Sequence, residues 1–414
     1  MKIGYIMSRF PKITETFILR EMLEARRQGI SISIYPLILQ KENVTHRDVR
    51  DLMSDVQYTA FLSLAVLLAN LKYLLWHPIC YLSVLGILIV ETFGSLGMLL
   101  KTVGLFPKCV CIADRMQRDG ITHVHAHFAT FPATAALVVN RLTDIPFSFT
   151  AHGSDIHVKK HRRGLETKIQ ACEFAVMISE YNREFVQQNC DRPVSDKLVV
   201  VLCGIHPSEY ATEGVPSSPA DQPFTIACVA AFRPVKGHRY LIDACGQLES
   251  RGVDYVCHLV GDGPKRPEIE RQIEELNLWE RFVIHGMVPQ EDVVGILKES
   301  DVFVLPSILT ERGDREGLPV ALMEAMATGL PVVVSEISGI PELVDGESTG
   351  LLVPCQDAEA TAEALQRIEE NPTLRRELGE NAREKVREEC DLEANVRRLI
   401  ELWRDGLPGV KKVG

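Results

Sequence analysis

The apolar positions of the first forty residues change period twice. "IGYIM" is an unbroken apolar run, "ITETFILREMLEARRQGI" carries Ile13, Phe17, Ile18, Met22 and Ala25 at helical spacing before Gly29, and "SISIYPL" is strand-like again. Strand, helix and strand at this spacing predict a βαβ unit, hence a parallel sheet. Further strands are predicted at "THVHAHF", "PFSFTAHG", "FAVMIS" and "KLVVVLCGI". Residues 206–223, "HPSEYATEGVPSSPADQP", have no hydrophobic period and read as a linker. A second alternation follows, from "FTIACVAAF" and the helix "HRYLIDACGQLESRG" to "PVVVSE" and "GLLV". The expected fold is α/β, with two doubly wound, Rossmann-like domains facing a cleft: residues 1–205, residues 206–389, and a terminal helix, 390–414, crossing back to the first domain.

Residues 60–100 interrupt this rhythm. Tyr73 to Val90, "YLLWHPICYLSVLGILIV", has no formal charge and reaches the length of a membrane span. His77-Pro78 breaks it, and Lys72 and Glu91 bound it, so buried or amphipathic helices, some touching a bilayer, are expected over a true span.

Composition narrows the class. With 414 residues, 46% hydrophobic and 24% charged, the chain is large enough for two cores and too apolar for disorder. The net charge of −11 is uneven: about 23 basic and 18 acidic residues up to Ile205, then about 22 and 38. This disfavours nucleic acid as a partner and leaves the first half suited to an anionic surface or lipid phosphate. Eleven scattered cysteines without a CxxC argue against a disulfide framework or zinc site, and the opening "MKIGYIMSRF" lacks a signal-peptide core. A cytoplasmic protein, peripheral at most, is expected.

The chemistry concentrates in "EGLPVALMEAMATGLPVVVSE". Pro319 suits a first helical turn, Gly329 its end and Pro331 the start of a buried strand, which puts Glu316 in the preceding loop and Glu324 on the helix. A carboxylate can accept two hydroxyls of a vicinal diol, although a glutamate near a helix start can equally be a solvated or capping residue.

"EGLPVALMEAMATGLPVVVSEISGIPELV" resembles the signature segment of glycosyltransferase family 4, and "SRFPKITETFILREM" resembles bacterial exopolysaccharide glycosyltransferases of the colanic acid type. The resemblance implies the GT-B fold, with Glu316 facing a donor sugar and Glu324 binding the ribose. It places His152 of "FTAHGSDIH" beside that sugar and Thr14 and Thr16 at a helix start where backbone N–H groups meet an anion or hydroxyls; from the alternation of "HVHAHF" along a strand, His127 is a further lining candidate and His125 structural. In "VAAFRPVKGH" Lys236 matches the family's phosphate-binding lysine, but Ala231 stands where its arginine is common, so Arg233 is the substitute candidate. Gly261 of "LVGDGP" is expected at the lining, and Gly339 and Glu342 of "SGIPELV" near the phosphates; His206 stands where an aspartate is usual.

The implied reaction is retaining transfer from a nucleotide-diphosphate-sugar to a glycan or polyprenyl-diphosphate-linked oligosaccharide in exopolysaccharide assembly. His152 and Glu316 are the catalytic candidates, and Arg233, Lys236, Glu324, Gly339, Glu342, Thr14, Thr16 and Gly261 the donor-binding ones. No Asp-x-Asp occurs, so no metal or other cofactor is expected. "KKHRR", Lys159–Arg163, is either a lipid-phosphate contact or a solvated run. An epimerase or hydrolase of the same fold and a non-catalytic sugar-nucleotide binder are the alternatives.

Overall fold

The computed structural model describes residues 1–12, 15–39, 47–212, 214 and 222–407. The chain divides into two compact units, Met1–Val201 with Glu393–Gly414, and Leu202–Leu392.

The first unit is built on six parallel strands: β1 (Lys2–Phe10), β2 (Ser31–Leu39), β3 (His123–His127), β4 (Phe147–Ala151), β5 (Phe174–Met177) and β6 (Leu198–Val200), in the order β2-β1-β3-β4-β5-β6. β3, β4 and β5 are buried along their whole length, as expected where helices cover both faces of a parallel sheet. The strand order reverses between β1 and β3, and crevices for ligands open at the carboxyl ends of strands at such a reversal.

The apolar stretch resolves into three helices, Leu64–Trp76, Pro78–Thr92 and Leu96–Arg118. Ser63 starts the first by accepting from the Val66 amide at 3.3 Å, and Pro78, which needs no helical N–H partner, starts the second. The two are bent by 112° at the break. Leu96–Arg118 alone is long and apolar enough to cross a membrane among the described residues, yet half of it is buried, with Phe106, Val110, Ala113 and Met116 in the core of the unit.

The helix Leu392–Asp405 buries Trp403, 3% exposed, against the opposite face of the sheet, which carries Tyr5, His125 and Ser148. Its indole Nε1 donates to Ser148 Oγ at 3.3 Å, and its ring meets His125 and Tyr5 edge-on, with centroids 5.3 and 6.0 Å apart.

The second unit begins at Leu202, before the expected linker. Ile205 bridges to Asp391 and Tyr210 is fully buried, so the described start of that segment is packed structure; residue 213 and residues 215–221 lie outside the described residues. Six further parallel strands, β7 (Phe224–Val229), β8 (Tyr255–Val260), β9 (Phe282–Gly286), β10 (Val302–Leu305), β11 (Val332–Ser335) and β12 (Leu351–Val353), run in the order β12-β11-β10-β7-β8-β9. Here the order reverses between β7 and β10.

Trp403→Ala should destabilise the first unit by about 3–5 kcal/mol, the range for truncating a large buried aromatic. Urea unfolding followed by circular dichroism reads this loss; an unchanged first transition would mean that the terminal helix contributes no core.

Candidate functional site

In the second unit the polypeptide leaving β7 passes Arg233, makes one tight turn over Pro234–Lys236 and reaches Gly237 at φ +69°. A Cβ on Gly237 would lie 1.8 Å from the Pro306 carbonyl oxygen, so only glycine lets this turn press against the chain leaving β10. That contact sets Lys236 beside the loop that follows β10. Lys236 Nζ pairs with Glu316 Oε2 at 2.5 Å, and the side chains are only 19% and 14% exposed. The Ser307 hydroxyl lies 3.5 Å from the same oxygen. Lys236 and Glu316, read from sequence as separate phosphate and sugar ligands, thus sit together at the reversal of strand order.

Glu324 stands in the helix Val320–Thr328, which closes on Gly329 at φ +83°. Pro319 is the cap residue, in extended conformation, so the stretch from Glu316 to the helix is loop and not a first helical turn. Glu324 Oε1 accepts from Tyr210 Oη at 2.8 Å and from Gln290 Nε2 at 3.1 Å, with Tyr210 and Gln290 3.2 Å apart. These bonds fix the direction of a carboxylate that is 5% exposed. Sequence reasoning missed both partners; the signal available was Tyr210, a large ring in a segment otherwise composed as linker.

The remaining candidates are spread out. Arg233 is exposed, and Ala231 is half-buried. Gly261, at φ +138°, would place a Cβ 2.1 Å from the Ala230 carbonyl oxygen, so the chain leaving β8 needs glycine to pass β7. Gly339 precedes the single turn Ile340–Leu343, which carries the half-buried Glu342.

In the first unit His152 follows β4 directly. Asp155 shapes its loop, accepting from the amides of His152 (3.1 Å), Gly153 (2.7 Å) and Ala129 (2.8 Å). His152 Nε2 lies 3.1 Å from His127 Nδ1, and His127 Nε2 lies 3.1 Å from Glu21 Oε1, which also accepts from Tyr5 Oη at 3.0 Å. Phe17 and Phe128 close on the His152 ring at 4.8 and 4.7 Å. A carboxylate thus orients one imidazole, which orients the next; Glu21 had not been singled out in the helical pattern. Thr16 opens the helix Thr16–Arg27, and Thr14 lies outside the described residues. Ligand atoms of Glu21, His125 and His127 fall within 4.8 Å of one another, a possible metal set by spacing. His125, however, is engaged at both nitrogens by Ser148 (2.8 Å) and Thr150 (3.1 Å), and His127 by His152 and Glu21, so these donors already satisfy one another.

The sequence pattern of the family described as Glycosyl transferases group 1 matches residues 211–385. A protein of Escherichia coli (strain K12) named as a colanic acid biosynthesis glycosyltransferase, WcaL, is 30% identical over 432 residues, covering 97% of this chain and 99% of the relative. The chain belongs to the group 1 glycosyltransferases. The amylovoran biosynthesis glycosyltransferase AmsK of Erwinia amylovora is 33% identical over 256 residues, 61% of this chain and 62% of that protein. A crystal structure of Anabaena Alr3699/HepE in complex with UDP-glucose has a TM-score of 0.71 at 17% identity, covering 98% of this chain and 99% of that one. The fold of this glycosyltransferase is GT-B.

Burial tunes the imidazoles of the glycosyltransferase. His125 and His152 are pushed well below the ordinary histidine value by burial and, next, by the neighbouring His127. His238, 4% exposed beside Lys236, is pushed down to about 4, first by burial and then by the lysine. All three are neutral in the fold and take protons first when unfolded, so stability is complete above about pH 6.5 and declines below it. Between pH 6.5 and 5 His238 should cost roughly a tenfold loss in the folding constant per pH unit. His238→Phe should flatten the decline for the second unit by one such increment in denaturant titrations across that range; an unchanged slope would show that His238 is protonated in the fold.

Proposed function

We propose that this glycosyltransferase transfers a sugar, with retention of configuration, from a nucleotide-diphosphate-sugar to a glycan or lipid-linked oligosaccharide in exopolysaccharide assembly. The observation that carries the reading is the Lys236–Glu316 pair at the strand-order reversal, with the hydrogen-bonded Glu324 on the helix that follows. UDP-glucose in the HepE complex supports a nucleotide-sugar donor, and the names of WcaL and AmsK support exopolysaccharide assembly.

In this reading the donor exchanges partners with the ion pair. Its diphosphate takes Lys236, and the sugar hydroxyls take Glu316, so neither buried charge is left uncompensated. Glu324, held on one side by Tyr210 and Gln290, accepts from the ribose hydroxyls. His152, oriented through His127 by Glu21, is the imidazole proposed to contact the sugar. As the bond from the anomeric carbon to the phosphate oxygen breaks, the acceptor oxygen bonds to that carbon on the same face and its proton passes to the departing phosphate. Charge grows on the diphosphate during this step, where Lys236 stabilises it most. No Asp-x-Asp occurs in the sequence, and the proposed reaction uses side-chain cations without a divalent metal.

Thermal shift with UDP-, GDP-, ADP- and TDP-sugars in chelator should show stabilisation by one nucleotide class, weakened at least about tenfold in apparent affinity by Glu324→Ala, since a charged hydrogen-bond acceptor to two hydroxyls is lost. No shift with any donor, or an equal shift in the variant, would reject the donor site. Turnover with an acceptor should fall about 100-fold or more in kcat for Lys236→Ala. Sugar release that ignores the acceptor would make the protein a hydrolase.

A further inference from the structure

Eighteen of the 26 exposed large hydrophobic side chains among the described residues lie between residues 58 and 103. The helices Leu64–Trp76 and Pro78–Thr92 turn Val66, Ala69, Tyr73, Val84 and Leu88 inward, but their outer faces are apolar too. Leu67, Leu75, Trp76, Ile79 and Val90 are 64%, 66%, 78%, 85% and 74% exposed. A helix on a water-facing surface carries charges at such positions. From residue 62 to 100 the only formal charges are Lys72 and Glu91, and both are held by the unit itself: Lys72 pairs with Asp114 at 2.6 Å, and Glu91 accepts from the Thr167 hydroxyl.

We propose that these two helices form a docking surface for an anionic phospholipid bilayer, lying in its plane with their outer faces at the boundary of headgroups and acyl chains. Thirteen and fifteen residues rise about 20 and 22 Å, short of a hydrocarbon core of about 30 Å, and the bend of 112° prevents them from acting as one span. Amphipathic burial of a few ångströms, not crossing, is what this geometry permits.

Charge selects the bilayer over a second copy of the chain. Arg163 donates to the Phe93 carbonyl oxygen at 2.6 Å, which pins the basic run Lys159–Arg163 to the end of the second helix, with Lys159 and Lys160 exposed. Lys101 is exposed beside Leu100, and Arg141 lines, with Trp76, Ile79 and Ile87, a depression of about 590 Å³ at the bend. The unit carries 28 basic and 21 acidic residues, against 17 and 35 in the second unit. An apolar centre with a basic edge complements anionic headgroups, whereas two copies would bring these cations against each other. The surface is independent of the reaction assigned above.

Flotation of the full-length protein with vesicles of phosphatidylethanolamine and phosphatidylglycerol tests it. The protein should float with these vesicles and about tenfold or more less with phosphatidylcholine alone, and brominated acyl chains should quench a fluorescence component that Trp76→Phe removes. The combined variant Leu75→Glu, Trp76→Glu and Ile79→Glu, at exposed positions and checked by an unchanged melting temperature, should lose binding. Lys159→Glu with Lys160→Glu should weaken it about tenfold or more and remove its salt dependence. Two results overturn the proposal: vesicle binding that survives the triple variant, or wild-type protein that stays off anionic vesicles and forms a discrete dimer that the triple variant dissolves.

Discussion

At Gly237 two backbones come so close that no side chain fits, since a Cβ there would overlap the Pro306 carbonyl oxygen. The chemistry of the second unit depends on this contact. The loop after β7 is pulled onto the loop after β10, and a lysine and a glutamate that are remote in sequence become ion-pair partners. In a mostly buried setting neither charge tolerates loss of the other, because a lone buried ion costs more than the pair returns. The pair therefore holds the two loops together around two opposite charges, which under the proposed reaction are handed to a ligand of matching chemistry.

A different device organises the first unit. His123, His125 and His127 alternate along β3, so all three point to one face. Burial keeps His125 neutral, and neutral imidazoles need hydroxyl or imidazole partners. Ser148 supplies one to both His123 (2.7 Å) and His125 (2.8 Å) while receiving the Trp403 indole N–H, and Thr150 takes the remaining His125 nitrogen. The ladder thus ties the last helix to the central strands. At its upper end, His127 passes the same constraint to His152 and Glu21. One polar row serves as core packing at one end and as positioning at the other.

What the sequence made legible was local. A run such as "VVVS" can only be a strand buried on both faces, and it is β11, Val332–Ser335. Gly329 announced the end of its helix because the left-handed backbone there favours glycine. The family resemblance brought Glu316, Glu324 and Lys236 to attention, but no period in the chain could pair Lys236 with Glu316 or bring Tyr210 to Glu324. Those contacts are made by the sheet order. The apolar insertion was ambiguous for a related reason: hydropathy alone does not distinguish a helix covered by protein from one covered by lipid, and only the later half of Leu96–Arg118, with Phe106, Val110, Ala113 and Met116, is covered by protein.

Net charge is a poor guide to what the second unit binds. It holds twice as many acidic as basic residues, yet in helices such as Arg266–Glu275 and Pro372–Glu389 acids are offset by pairs like Arg266–Glu270 and Lys385–Glu389, and exposed charges are screened over about 8 Å at physiological salt. Under the proposed exchange an anion is met by Lys236, which must then release Glu316. A diphosphate without a sugar would take the lysine and strand a carboxylate with little access to water; a diphosphate that carries sugar hydroxyls satisfies both. The ion pair would then discriminate a complete donor from its own leaving group, and release of the spent nucleotide would be favourable once the sugar has gone.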